Sequence, residues 1–74
     1  MTYGVLTIDI EDMIKKRNIS KLKLAQRAEM STTQINKIIK HETTRIDLAT
    51  LARLCTALDC DVSDILIYKK PDNL

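Results

Sequence analysis

Tryptophan and phenylalanine are absent from this 74-residue chain, and glycine and proline occur only once each. A hydrophobic core must therefore be built from Leu, Ile, Val, Ala and Met, which suit helix packing. So few turn-forming residues leave little room for the tight turns that a small β-protein requires. The composition therefore predicts a single all-α domain.

Cysteine and histidine are also scarce, since the chain holds only Cys55, Cys60 and His41. Two cysteines cannot form a framework of several disulfides, and a tetrahedral zinc site needs four ligands. We interpret both cysteines as small apolar side chains in a reducing environment. We expect no metal and no cofactor.

Long apolar runs are missing too. No stretch approaches the roughly 20 residues that span a membrane, and no signal-peptide pattern opens the chain, which predicts a cytoplasmic protein without a membrane partner. The sequence also lacks a nucleophile–base pair and a glycine-rich phosphate loop, and so small a domain has little space for a pocket. These absences predict a protein that is not an enzyme and has no evident small-molecule ligand.

Positive charge is concentrated in the middle of the chain. Residues 13–45 hold nine of the twelve lysines and arginines but only two of the ten acidic residues. An isolated charge run is often just a solvated face, but this one spans several predicted helices. The folded domain is therefore expected to present a basic face to a polyanion.

Two helices are predicted in the first 28 residues. The first begins near Asp9, with Leu6, Ile10, Met13 and Ile14 on one face. Ser20 is a good N-cap for the second helix, 21–28, whose inward residues are Leu24, Ala25 and Ala28.

A third helix is predicted over 31–40. Ser31 and Gln34 have the spacing of a capping box, in which each residue satisfies a helix-end donor of the other. Ile35, Ile38 and Ile39 share one face. The opposite face is polar and carries Thr32, Thr33, Asn36, Lys37 and Lys40.

Two further helices complete the predicted domain. Asp47 caps a helix over 48–58, in which Leu48, Leu51, Leu54, Cys55 and Leu58 form an apolar stripe. A last short helix starts at Val62 and Ser63 and runs through Ile67. The domain is assigned to 9–68, between an N-terminal segment, 1–8, for which an extended conformation is open, and a polar tail, 69–74.

Two short helices joined by a tight turn, the second polar on its exposed face, match the requirements of a helix-turn-helix. The second helix fits a DNA major groove about 12 Å wide, where its side chains must reach base edges. Asn36 can pair with adenine, and Thr32 and Thr33 can contact a thymine methyl. Lys37 can read guanine or hold a phosphate.

The run 24–31 (Leu-Ala-Gln-Arg-Ala-Glu-Met-Ser), followed by Ile35 and Ile38, resembles the helix-turn-helix of the phage-repressor and Cro-like (Xre-type) family. The run 45–66 is similar to a compact single-domain bacterial and prophage branch of that family. The resemblance covers roughly 9–68. It implies a compact five-helix lambda-repressor-like fold and a bacterial or phage-encoded, nucleoid-associated regulator, a repressor that binds a double-stranded DNA operator.

The resemblance also assigns positions. Base reading falls on Thr32, Thr33, Asn36 and Lys37, and contact with the DNA backbone falls on Lys21, Ser31, Lys40 and Arg45. Three residues depart from the family pattern. Glu29 and His41 stand where glycine is usual, and a non-glycine residue with left-handed backbone costs roughly 1 kcal/mol. Lys21 replaces a glutamine, so that a point charge takes the place of a directed hydrogen bond.

The family usually binds a two-fold operator as two domains, which predicts a homodimer, at least on DNA. The apolar residues available for that contact are those of the predicted last helix, Ile65, Ile67 and Tyr68. A different interpretation stays open, in which the domain is a protein-interaction module, antitoxin-like or anti-activator. Glu29 and the acidic C-terminal half favour that alternative.

Overall fold

Four α-helices and a two-stranded antiparallel sheet make up residues 3–71, the part of the chain described by the computed structural model. The elements follow in the order β1 (Val5–Ile8), α1 (Glu11–Lys16), α2 (Lys21–Ala28), α3 (Thr32–Ile39), α4 (Leu48–Leu58), a single 3₁₀ turn (Val62–Asp64) and β2 (Leu66–Lys69). The ends of the predicted terminal segments, residues 1–2 and 72–74, lie outside the described residues. No helix within 3–71 is both long enough and apolar enough to cross a bilayer.

The predicted all-α, five-helix fold is wrong, because the last helix does not form. Val62–Asp64 makes one 3₁₀ turn, and the chain then continues as β2. β2 pairs antiparallel with β1, with Leu6 opposite Tyr68 and Ile8 opposite Leu66. A short apolar run is compatible with either a helix or a strand. Here a partner strand that is distant in sequence decides the outcome, since the paired residues Leu6 and Tyr68 are 62 positions apart (68 − 6).

Two leucines placed on helical apolar faces by periodicity lie elsewhere. Leu6 belongs to β1 and is 64% exposed, so it is not part of the buried face of α1. Leu48 is the first residue of α4 and is 82% exposed. The stripe that packs inward on α4 begins one turn later, at Leu51.

The core joins all four helices and the segment before β2. Its fully buried large side chains are Ile10, Leu24, Ile35, Leu54, Leu58 and Ile65. Ala25 and Ala28 are also buried on α2, where their small size lets α4 pack closely. The inward residues predicted for α2 are confirmed.

Each of the four described helices is followed, within two residues, by a non-glycine residue with left-handed backbone. These residues are Asn18, Glu29, His41 and Asp59, with φ between 50° and 60°. After each one, the next backbone N–H donates to the carbonyl five residues earlier, as from Met30 to Ala25 at 2.9 Å and from Cys60 to Cys55 at 3.0 Å. This is the Schellman arrangement, which satisfies carbonyls that the helix itself leaves unpaired.

Candidate nucleic-acid interface

The turn between α2 and α3 is defined by backbone hydrogen bonds. Glu29 has φ 56° and ψ 45°, and its N–H donates to the carbonyl of Gln26 at 3.3 Å. The predicted left-handed backbone at Glu29 is thereby confirmed, and a carboxylate occupies a position that glycine would hold without strain. His41, the other predicted exception, is left-handed as well, with φ 60°.

α3 begins with the predicted capping box. The backbone N–H of Gln34 donates to Ser31 Oγ at 3.1 Å, and the Ser31 N–H donates to Gln34 Oε1 at 2.9 Å. Two helix-end donors are thus satisfied within the protein. The Ser31 hydroxyl also donates to Gln34 Oε1, in a long hydrogen bond of 3.4 Å.

α3 turns a polar face outward and an apolar face into the core. Ile35 and Ile38 are buried, whereas Thr32, Thr33 and Lys37 are exposed and Asn36 is half-buried. Residues three and four apart lie side by side on a helix, so Thr32, Thr33, Asn36 and Lys37 form one surface. The structure therefore brings together all four predicted base-reading positions.

Arg45 lies near this surface, although it is in the loop between α3 and α4. A groove of about 420 Å³ is lined by residues of α3, of the loop and of the start of α4, including Gln34, Lys37, Glu42, Arg45 and Thr50. Lys37 and Arg45 thus share one groove, while Lys40 is exposed just past the end of α3. Lys21 is exposed in the first turn of α2 and lies outside this lining.

Glu42 in this groove was not singled out by the sequence reasoning. The lining also includes a second carboxylate, that of Asp47, so the groove holds two cationic and two anionic side chains. The signal available in the sequence was its position, since Glu42 is one of only two acidic residues within 13–45.

Arg53 is a second residue that sequence reasoning missed. It lies on α4 and bonds to the end of α2, which helps to fix the orientation of the helix-turn-helix. Its Nε donates to the carbonyl of Ala28 at 2.9 Å, and its Nη2 donates to Thr50 Oγ1 at 3.1 Å. Ala28 is the last residue of α2, directly before the turn that leads to α3. Arg53 is the one charged residue of α4, which marks it as unusual in the sequence but does not identify the carbonyl that it bonds.

Arg17 has a comparable role at the C-terminal end of α4. Its Nε donates to the Leu58 carbonyl at 2.9 Å and its Nη2 to the Asp59 carbonyl at 2.8 Å. Arg17 therefore belongs structurally to the end of α4, although the sequence counts it in the basic segment. Both arginines fix helix ends with charge-assisted hydrogen bonds.

Asp47 begins α4 as predicted. The Thr50 N–H donates to Asp47 Oδ1 at 2.7 Å. Hydrogen bonds from the side chain and backbone of Thr50 hold the pKa of the Asp47 carboxyl below its ordinary value of 3.8, and the charge of Arg53 acts in the same direction. The cap fixes where α4 starts and therefore where the loop carrying Arg45 ends.

The sequence and the fold both resemble those of known proteins. The family model described as the Cro/C1-type HTH DNA-binding domain matches residues 9–71. A Bacillus subtilis (strain 168) protein, described as the uncharacterized HTH-type transcriptional regulator YozG, is 29% identical over 68 residues, covering 92% of this chain and 81% of the relative. The crystal structure of the transcriptional regulator VanUg (Form II) has a similar fold, with a TM-score of 0.73 at 20% identity over 97% of this chain and 93% of the other.

Proposed function

Because this chain belongs to the Cro/C1-type helix-turn-helix DNA-binding family, we propose that it is a sequence-specific repressor that inserts α3 into the major groove of an operator. Transcriptional regulation is the role given in the descriptions of both similar proteins. The observation that carries the proposal is the polar face of α3, supported on a buried apolar face and fixed at its start by the capping box.

Each residue of that face has a chemical role in the proposal. Asn36 pairs with an adenine edge through its amide, and the methyl groups of Thr32 and Thr33 contact thymine. Lys37 donates to guanine or to a phosphate. A good bidentate pair contributes about 1–3 kcal/mol of discrimination against the wrong base, which makes Asn36 the main determinant of DNA sequence specificity.

Contacts with the DNA backbone are assigned to Lys21, Ser31, Lys40 and Arg45. Lys21 lies at the N-terminal end of α2, and Arg45 shares a groove with Lys37. The Ser31 N–H is bonded to Gln34, so Ser31 contributes its hydroxyl hydrogen, which turns from its long bond with Gln34 Oε1 toward the phosphate. Phosphate contacts of this kind fix register and make affinity fall steeply with salt.

The proposed regulator binds as a homodimer, and the structure changes the surface available for that contact. Ile65 is fully buried, so this residue of the predicted dimer contact is unsuitable. Exposed apolar side chains are found on the sheet instead. Because neighbouring residues of a strand point to opposite faces, Val5 and Ile67 lie on one face, while Leu6 and Tyr68 lie on the other. We assign the dimer contact to the sheet face that carries Val5 and Ile67, with half-sites about 34–36 Å apart on the DNA.

Selection from randomised duplexes tests base recognition. We expect an inverted repeat to be enriched, and Asn36→Ala and Thr33→Ala to lose that preference. Thr56→Ala is the matched control, because Thr56 is exposed near the end of α4 and bonds only within that helix, to the Ala52 carbonyl at 3.0 Å. Weak, uniform binding without enrichment would overturn the proposal and favour a protein-interaction module, whose apolar interface responds little to salt.

Sedimentation of the protein with and without the selected operator tests the dimer. We expect two chains to bind an operator together, and we expect Ile67→Lys to bind the two half-sites independently, so that complexes with a single chain on the operator accumulate. Monomer alone at high micromolar concentration, both free and on the operator, would exclude the homodimer.

A further inference from the structure

Two thiols meet at the end of α4. Cys55 lies in the last turn of the helix, and Cys60 follows the left-handed residue Asp59. The Cys60 N–H donates to the Cys55 carbonyl at 3.0 Å, which turns the chain back on the helix. The two cysteines therefore occupy the pair of positions whose side chains contact each other in a Schellman turn.

Because these two positions contact each other in such a turn, the Cys55 and Cys60 side chains lie next to each other at the end of α4. Both side chains are free and only partly buried, and both pack against the core. They are therefore near each other and reachable from solvent.

We propose that Cys55 and Cys60 form a modification site at which a peroxide oxidises the two thiols to an intramolecular disulfide. The thiolate of one cysteine attacks a peroxide oxygen, which breaks the O–O bond and leaves a sulfenic acid and, after protonation, water. The second thiol attacks the sulfenic sulfur and releases a second water, while its proton leaves with the departing oxygen. Two thiols and one hydrogen peroxide thus give one disulfide and two waters.

The backbone is compatible with this bond. From one Cα to the other, the 3.0 Å contact is flanked by an N–Cα bond of about 1.5 Å on the Cys60 side and by C=O and Cα–C bonds of about 1.2 Å and 1.5 Å on the Cys55 side. The two Cα atoms are therefore at most about 7 Å apart, and the bond angles at the carbonyl carbon and the amide nitrogen bring them closer. Disulfides join residues whose Cα atoms are roughly 4.4–6.8 Å apart. The cross-link would close the turn around Asp59, whose carbonyl accepts from Arg17, and so would hold the end of α4 against α1.

The environment sets the conditions of the test. Burial raises the pKa of the Cys60 thiol, so little of its reactive thiolate is present at neutral pH. Oxidation is therefore followed in mildly alkaline buffer, with hydrogen peroxide in small excess over the reduced protein.

Intact-mass spectrometry after maleimide labelling of the unfolded chain gives the readout. We expect the oxidised chain to remain a monomer, to be about 2 Da lighter by the mass of two hydrogen atoms, and to take no maleimide label. After reduction by dithiothreitol, the chain is expected to take two labels. We also expect the oxidised protein to melt at a higher temperature than the reduced protein. Cys55→Ser and Cys60→Ser are expected to show no such loss of mass, and Cys55→Ala with Cys60→Ala gives a melting temperature that does not respond to peroxide.

A chain that still takes two labels after peroxide overturns the proposal. Disulfide-linked dimers, or oxygen added separately to each sulfur, overturn it equally, because either shows that the thiols react independently. Circular dichroism of each serine variant verifies that it is folded. The wild-type mass and label count decide the question even if a variant does not fold.

Discussion

Arg53 donates its Nε–H to the carbonyl oxygen of Ala28 at 2.9 Å and thereby joins the middle of α4 to the end of α2. The last carbonyls of a helix have no partner within the helix. The guanidinium satisfies this one at the point where the chain leaves α2 for the turn before α3. The orientation of the two helices of the motif thus depends on a side chain from outside it.

Arg53→Ala is expected to lower the free energy of unfolding by about 1.5–3 kcal/mol, the range for a hydrogen bond to a charged group. Urea denaturation followed by circular dichroism measures the change. The matched control is Arg27→Ala, an exposed arginine on α2, for which we expect a change within about 0.5 kcal/mol. Equal effects of the two variants would show that the Ala28 contact contributes nothing.

Gly4 is required because β2 passes close to it. A Cβ atom at this position would fall 2.5 Å from the backbone carbonyl oxygen of Lys69 and would also overlap the Tyr68 ring. Gly4→Ala should therefore separate the strands and cost about 1–3 kcal/mol, the range for overpacking. Thermal melting measures the loss, and Val5→Ala on the exposed face is the control. Faster amide exchange in β2 of the Gly4 variant is also expected, and unchanged protection would argue against the close approach.

Replacing Glu29 separates backbone strain from charge. Glu29→Gly relieves the left-handed strain and is expected to stabilise the fold by about 1 kcal/mol, whereas Glu29→Gln keeps the strain. Both variants remove a carboxylate from the turn before α3, so both should bind DNA more tightly at low salt, with a smaller gain at high salt. Denaturation and DNA titrations measure the two effects. Equal stability of the glycine and glutamine variants would refute the strain argument.

Asp47 should make stability depend on pH in the acid range. Its folded pKa lies below the ordinary value of 3.8, so its charge stabilises the fold above that pH, and this contribution is lost as the pH falls through the folded pKa. Asp47→Asn keeps an acceptor for Thr50 but has no charge. We expect wild type to melt at a higher temperature than Asp47→Asn at neutral pH, with the gap closing below about pH 3.8. A gap that stays constant down to about pH 2 would contradict this assignment.

Much of the helix-turn-helix is local and was predictable. The Ser31–Gln34 capping box, the Ser20 and Asp47 caps and the buried isoleucines of α3 all follow from spacing within a few residues, and all are confirmed. The family resemblance is confirmed by the match over residues 9–71. The roles of the individual α3 side chains toward DNA stay predictions.

The failures share a physical cause. A last helix was expected after Val62, but Leu66–Lys69 pairs with a strand at the other end of the chain. Arg17 and Arg53 carry no local sign that they bond to carbonyls 41 and 25 residues away. In each case the deciding partner is distant in sequence, so periodicity and capping rules do not contain the information.

Local patterns in the sequence predicted where α2, α3 and α4 begin and where positive charge concentrates. Apart from Leu48, they also predicted which faces these helices bury, because caps and apolar periodicity act over one or two turns. Contacts between distant parts of the chain pair Val5–Ile8 with Leu66–Lys69 in a sheet, and they leave Ile65 buried while Ile67 and Tyr68 are exposed. A contact of the same kind joins Arg53 on α4 to the end of α2. These contacts form only when the whole core closes, because each joins groups that no local rule brings together.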